Sequence, residues 1–132
     1  MARVLIIDDN ESFRDSTADL LEAAGHTVVA AQDGDAGLAE FRRGQFDLVV
    51  CDLFMPKKDG LETVSELRQH SATVPIISTS GYVDTMIGEG KTQAAGYLKV
   101  AKEFGATCTM TKPFDPDGFL LMVKACLETH HG

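Results

Sequence analysis

No apolar run approaches the ~20 residues that a membrane-crossing helix needs, so no membrane-spanning segment is predicted. The opening residues Met1-Ala2-Arg3-Val4 lead straight into a strand-like stretch and lack the layout of a signal peptide, so a cytoplasmic location is expected. Positive charge is scarce: 12 Lys and Arg stand against 20 Asp and Glu, a formal net charge of −8. That balance argues against direct nucleic-acid binding by this domain and suits a solvated protein that attracts cations. Cysteine is sparse too. Cys51, Cys108 and Cys126 are an odd set with no Cys-x-x-Cys and no nearby His pair, and each lies in apolar sequence. Buried free thiols in a reducing compartment are the expectation. The chain also lacks internal repeats and low-complexity tracts, and His130-His131 reads as a frayed tail.

What is present is 132 residues, 44% of them hydrophobic, enough for one domain over 1–132 with a real core. Arg3 to Ile7, Thr27 to Ala31, Leu48 to Cys51, Pro75 to Thr79 and Ala106 to Met110 read as five strands. Between them the spacing predicts helices. The first carries Phe13, Thr17, Leu20, Leu21 and Ala24, is capped by Asp9 or Asn10, and stops at Gly25. The second turns at Asp33-Gly34, faces Ala36, Ala39 and Phe41 inward, and closes with Arg42-Arg43-Gly44. The third buries Leu61, Val64 and Leu67, and a fourth runs from Tyr97 to Phe104. The last begins at Asp115-Pro116 and buries Phe119, Leu120, Val123, Cys126 and Leu127. Strand and helix alternate five times, which predicts right-handed crossovers and a parallel sheet with helices on both faces.

The chemistry gathers at the carboxyl ends of the predicted strands. Asp52 directly follows a run buried on both faces, and Pro56 with Asp59-Gly60 turns the chain away. Asp8 and Asp9 end the first strand in the same manner. In an open α/β sheet that edge is where ligands bind. Clustered carboxylates repel one another, and a hard divalent cation such as Mg²⁺ resolves the repulsion through oxygen ligands, to which the Phe54 backbone carbonyl adds. Lys112 after the fifth strand supplies an ammonium to pair with Asp52 or with an anion bound there. Ser80 after the fourth strand supplies a hydroxyl. Metal ligands, a carboxylate nucleophile, a hydroxyl and a cation at one edge make a phosphoryl-transfer site.

Asp8-Asp9, Asp52 with Met55-Pro56 and Asp59-Gly60, Ser80-Gly81, and Lys112-Pro113-Phe114 together resemble the receiver domain of two-component response regulators, from Arg3 to about Glu128. The resemblance implies a flavodoxin-like doubly wound (βα)5 fold, with a five-stranded parallel sheet in the order 2-1-3-4-5. It implies that Asp52 accepts a phosphoryl group from a histidine kinase or a histidine phosphotransfer protein. Asp9 and Asp52 would bind Mg²⁺, with Asp8 helping through water. Ser80 would sense the phosphoryl oxygens and Lys112 would pair with them. The chain would then be a switch and not a turnover enzyme, either standing alone or as part of a longer protein.

The pattern departs from the family in two places. Thr109 stands where an inward-turning aromatic is common. The segment from Asp84 to Gly96 looks like an insertion, read here as a partner-contacting loop. Its Gly88-Glu89-Gly90-Lys91-Thr92 resembles the end of a phosphate-binding loop, but position 85, where that motif needs its first glycine, is Thr. The resemblance implies that Phe54 and Tyr82 hold the two positions that flank the path of a hydrolytic water in the receiver family, and they are expected to shield the phosphoryl group, giving a long-lived signal. Two other functions compete. A phosphatase of the haloacid-dehalogenase type needs a second acid two residues after its nucleophile, and that position is Phe54. A receiver that no longer takes phosphate is disfavoured because each motif residue is present.

Overall fold

Five short runs of Val, Ile and Leu form the sheet in the computed structural model, which describes residues 2–53, 55, 60–80, 101–112 and 115–131. Expectations that fall on Phe54, Pro56, Asp59, Gly81, Tyr82, the segment 84–100, Pro113 and Phe114 lie outside the described residues, as do the side chains of His130 and His131. The elements run β1 (Arg3–Ile7), α1 (Glu11–Ala23), β2 (Thr27–Ala31), α2 (Gly34–Arg43), β3 (Leu48–Asp52), α3 (Gly60–His70), β4 (Ile76–Ser80), β5 (Cys108–Thr111) and a last helix, Pro116–His131. Residues 101–104 are also helical, the described part of the helix expected from Tyr97. The sheet order is β2-β1-β3-β4-β5, with parallel pairing throughout, so the doubly wound α/β sheet is observed.

The period-two alternation of the strands sorts their side chains into two layers. Leu5, Ile7, Val49 and Cys51 face one side, where Leu38 of α2 and Val64 and Leu67 of α3 cover them. Val4, Ile6, Leu48 and Val50 face the other side, under Leu21 of α1 and Phe119 and Val123 of the last helix. β1, β3 and β4 are buried along most of their length, as central parallel strands must be. β2, at the edge, is half-buried or exposed except at Ala31.

Local signals set the helix ends. The Asn10 side chain accepts a hydrogen bond from the Phe13 N–H at 2.9 Å, so Asn10 is the cap of α1. Gly25 leaves that helix at φ +98°, which L side chains rarely adopt. Asp33 caps α2, and Asp115 accepts from the Gly118 N–H. Two expectations need correction. In α2, Gly37 and Leu38 are buried and Ala36 and Phe41 pack against the same core as expected, while Ala39 is exposed. Gly37 lies so close to the Ile7 side chain that a β-carbon there would collide with it, and this contact sets the helix phase. β5 starts at Cys108 and not at Ala106, because the Ala106 N–H is still bonded to the Ala101 carbonyl.

Arg68, near the end of α3, ties the far side of the sheet together. Its guanidinium donates to the carbonyls of Gly105 at 2.8 Å, Ser71 at 3.2 Å and Val74 at 2.6 Å. Partial burial lowers its pKa. At the opposite edge, the Ala2 N–H donates to His26 Nδ1 at 3.1 Å. Burial, then the charge of the amino terminus, pushes His26 below its ordinary value of 6.5. Folding therefore favours the neutral imidazole. This contribution to stability is complete above about pH 6.5 and is lost as pH falls through the lowered value. His26→Gln should flatten the decline of the urea midpoint below that pH. An unchanged slope would show that His26 does not titrate on unfolding.

Candidate functional site at the carboxyl edge of the sheet

Each site residue is held by the backbone of the strand that precedes it. Asp52 is the last residue of β3, in register with Thr79, and the next N–H, from Leu53, donates to the Thr79 carbonyl at 2.8 Å. Asp8 follows β1 directly, and its N–H donates to the Ala31 carbonyl at 3.1 Å. Ser80 ends β4. The Lys112 N–H donates to the Ser80 carbonyl at 2.8 Å, which fixes the root of the lysine beside the serine. Because β1 lies next to β3 and β4 next to β5, these ends converge.

The carboxylates of Asp8, Asp9 and Asp52 bring their ligand oxygens within 4.8 Å of one another. Asp8 and Asp52 are buried and Asp9 is exposed, so the cluster has two sunken ligands and one at the rim. Its donors are hard oxygens, and among the described residues one ammonium meets two of the three carboxylates. Both features fit a hard divalent cation such as Mg²⁺. That ammonium belongs to Lys112, whose Nζ lies 2.7 Å from Asp8 Oδ2 and 3.6 Å from Asp52 Oδ1. The sequence pointed to Asp52 as its partner, yet the shorter contact is to Asp8. The two acids share the charge of one lysine that is only 12% exposed. Removing the lysine leaves two buried carboxylates without their cation, and loss of one partner from a buried ion pair typically costs about 3–5 kcal/mol.

Ser80 Oγ is fully buried and has no hydrogen-bond partner among the described residues. A buried hydroxyl in that condition is costly, and it marks a place that a polar ligand atom would relieve. Ser78 Oγ and Thr79 Oγ1, on the same strand, are in the same condition. The side chains of Asp8, Asp9, Asp52, Ser80 and Lys112 therefore stand at one edge, while the expected Phe54 carbonyl lies outside the described residues. Thr109, in β5, is half-buried and pairs in register with Ser78.

Two neighbours were missed. The Phe13 ring lies under the lysine, with Nζ 4.1 Å from its centroid. Phe13 shares the helical period of Thr17, Leu20 and Leu21, and that spacing is the only signal the sequence gives for it. Arg14 Nη1 donates to the Asp8 carbonyl at 2.8 Å and stiffens the turn that carries both acids. The Asn10 N–H donates to Asp8 Oδ1 at 2.9 Å, so the residue that caps α1 also orients the buried carboxylate.

The start of α3 presses on the same spot. The Gly60 N–H donates to the Leu53 carbonyl at 2.8 Å, and a β-carbon on Gly60 would collide with the Asp52 carbonyl and Leu53 Cα. Glycine is required there because the backbone behind the key carboxylate leaves no space.

Comparison with known proteins agrees with this geometry. The family described as Response regulator receiver domain matches residues 4–124. The alkaline phosphatase synthesis transcriptional regulatory protein PhoP of Bacillus subtilis is 34% identical over 129 residues, covering 96% of this chain and 48% of that protein. Among solved structures, the receiver domain of NtrX from Brucella abortus superposes with a TM-score of 0.83 at 28% identity, covering 96% of this chain and 98% of that one. The Vibrio cholerae chemotaxis protein CheY4 superposes with a TM-score of 0.78 at 32% identity, covering 96% and 99%. The chain spans about half the length of the curated relatives it matches.

Two glycine substitutions separate close approach from helix propensity. Gly→Ala in a helix ordinarily stabilises by about 0.4–1 kcal/mol. Gly118→Ala in the last helix should do so, since its β-carbon would meet only Asp115 atoms at 3.6 and 3.7 Å. Gly60→Ala should have the opposite sign and lower the urea midpoint. Equal effects from the two would mean that α3 can move off Asp52 freely.

Proposed function

The chain belongs to the response regulator receiver family, and from that premise we propose that Asp52 is its phosphoacceptor in a Mg²⁺-dependent reaction with a histidine kinase or a histidine phosphotransfer protein. The observation that carries this reading is a buried carboxylate, Asp52, standing beside the Asp8–Lys112 pair and a buried Ser80 hydroxyl without a partner among the described residues. A solvated turn acid has no use for such surroundings.

In the proposed reaction a carboxylate oxygen of Asp52 attacks the phosphorus of a phosphohistidine, the P–N bond breaks, and the imidazole leaves with the electron pair. Asp9 and Asp52 would hold Mg²⁺, with Asp8 acting through water, and the cation would neutralise charge on the phosphoryl oxygens. Lys112, already within 3.6 Å of Asp52, turns from the carboxylates to a phosphoryl oxygen. Ser80 donates its hydroxyl proton in a hydrogen bond to another. Neither group needs to travel far, because the strand ends hold both in place before the phosphoryl group arrives.

The product is a change of charge and shape at the sheet edge, and the role is a switch. The net charge of −8 supports a domain that receives a signal without touching nucleic acid itself. Among the described residues no helix is long and apolar enough to cross a membrane, and the reading places the chain in the cytoplasm with its kinase.

The test is intact-mass measurement after incubation with a small phosphodonor and Mg²⁺. One phosphoryl addition is expected, abolished by Asp52→Asn. Asp9→Ala should lose both the addition and Mg²⁺ affinity. Addition that persists in Asp52→Asn would move the acceptor elsewhere. Steady release of phosphate by the unaltered chain would make it a phosphatase.

A further inference from the structure

Outside the phosphorylation site the structure brings together two groups that the proposed function does not use. Cys108 Sγ and Cys126 Sγ lie 3.2 Å apart. Cys108 stands in β5, and Cys126 belongs to the buried stripe of the last helix, in the core layer formed by Phe119 and Val123. Both are free thiols. We propose that this pair is a dithiol oxidation site, at which a peroxide forms an intramolecular disulfide that staples β5 to the last helix.

Geometry favours closure. A disulfide holds its sulfurs about 2.0 Å apart, so closing this pair asks for a movement of roughly one ångström. No other described cysteine competes. Cys51 is fully buried in the core layer on the opposite face of the sheet.

The two sulfurs differ in access and therefore in role. Cys108 is half-buried, whereas Cys126 is 4% exposed. Burial first, then the hydrogen bond with Cys108, pushes the Cys126 thiol up to about 12, so it keeps its proton at neutral pH. Cys108 is the sulfur that meets the oxidant. Its thiolate attacks one peroxide oxygen, the O–O bond breaks, and Cys108 becomes a sulfenic acid as one water leaves. Cys126 sulfur then attacks the Cys108 sulfur. The S–O bond breaks, and the departing hydroxide takes the Cys126 proton to form a second water. Two thiols and one peroxide yield one disulfide and two waters.

The bond would form at the first residue of the strand whose end leads into Lys112. Oxidation thus ties the element that carries the site's only described lysine to the helix beneath it. The pair is reversible by thiols, as suits a reducing compartment in which oxidation is an event and not the resting state.

The experiment treats the full chain with hydrogen peroxide, blocks remaining thiols, and digests it. Trypsin, cutting after Lys102 and Lys124, places the two cysteines in separate peptides. The expected result is a monomer lighter by two hydrogens, with those peptides joined and Cys51 blocked. The link should vanish in Cys108→Ser and persist in Cys51→Ser. The oxidised chain should melt several degrees higher than the reduced chain, with the gain removed by dithiothreitol and missing from Cys108→Ser. The proposal is overturned if peroxide only adds oxygen to Cys108, joins two chains, or links through Cys51. Because the peptide map is read on the unaltered chain, a variant that folds poorly does not decide the outcome.

Discussion

Two buried carboxylates at the ends of neighbouring strands are the constraint that the rest of this molecule accommodates. Asp8 and Asp52 are almost fully buried, and a lone ionised carboxylate in such a place is unstable. One ammonium, on Lys112, answers both. The sheet order makes this possible. β1 sends its connection outward to β2 on one side and stands against β3 on the other, so the crevice at the reversal opens between the two acids. β4 then separates β3 from β5, so the lysine reaches across the strand that ends in Ser80 to meet Asp52 and Asp8. Polar groups that are costly in isolation become a site because the winding of the chain puts them on one edge.

Much of this was legible in the sequence, for a physical reason. Central parallel strands are buried on both faces, so they appear as short unbroken apolar runs, and whatever follows such a run stands at a known edge. Asp8 and Asp52 stand out by that rule, and Ser80 and Lys112 follow from the strand ends alone, with no need to know what each one touches. The caps were legible because they act over three residues, as Asn10 and Asp115 do. Less legible was the phase of α2. Its run of Ala and Gly gives periodicity little contrast, and contact between Gly37 and Ile7 decides which side faces inward.

What the sequence concealed are partnerships between residues far apart along the chain. Arg68 reaches a carbonyl 37 residues away, and no local pattern announces it. Phe13 carries a helical period that suits the core, yet its ring lies against the lysine. Cys108 and Cys126 were read as separate buried thiols. Cys126 is buried, but Cys108 is half-buried, and only the docking of the last helix on β5 reveals that they are neighbours. Spacing along a chain constrains which edge a residue reaches far better than it constrains which atom it meets there.

The Asp8–Lys112 contact joins residues 104 positions apart. During synthesis the first strand and its acid leave the ribosome long before the lysine exists. A half-made domain of β1, α1, β2, α2 and β3 could pack its aliphatic layers, but it would bury two like charges with no cation to balance them. Such an intermediate is penalised electrostatically at the point where hydrophobic packing would otherwise trap it. Contacts of such long range slow folding, since the chain must close a large loop before the contact rewards it. The strand that leads into the lysine completes both the sheet and the site, and only the last helix remains to be laid over it.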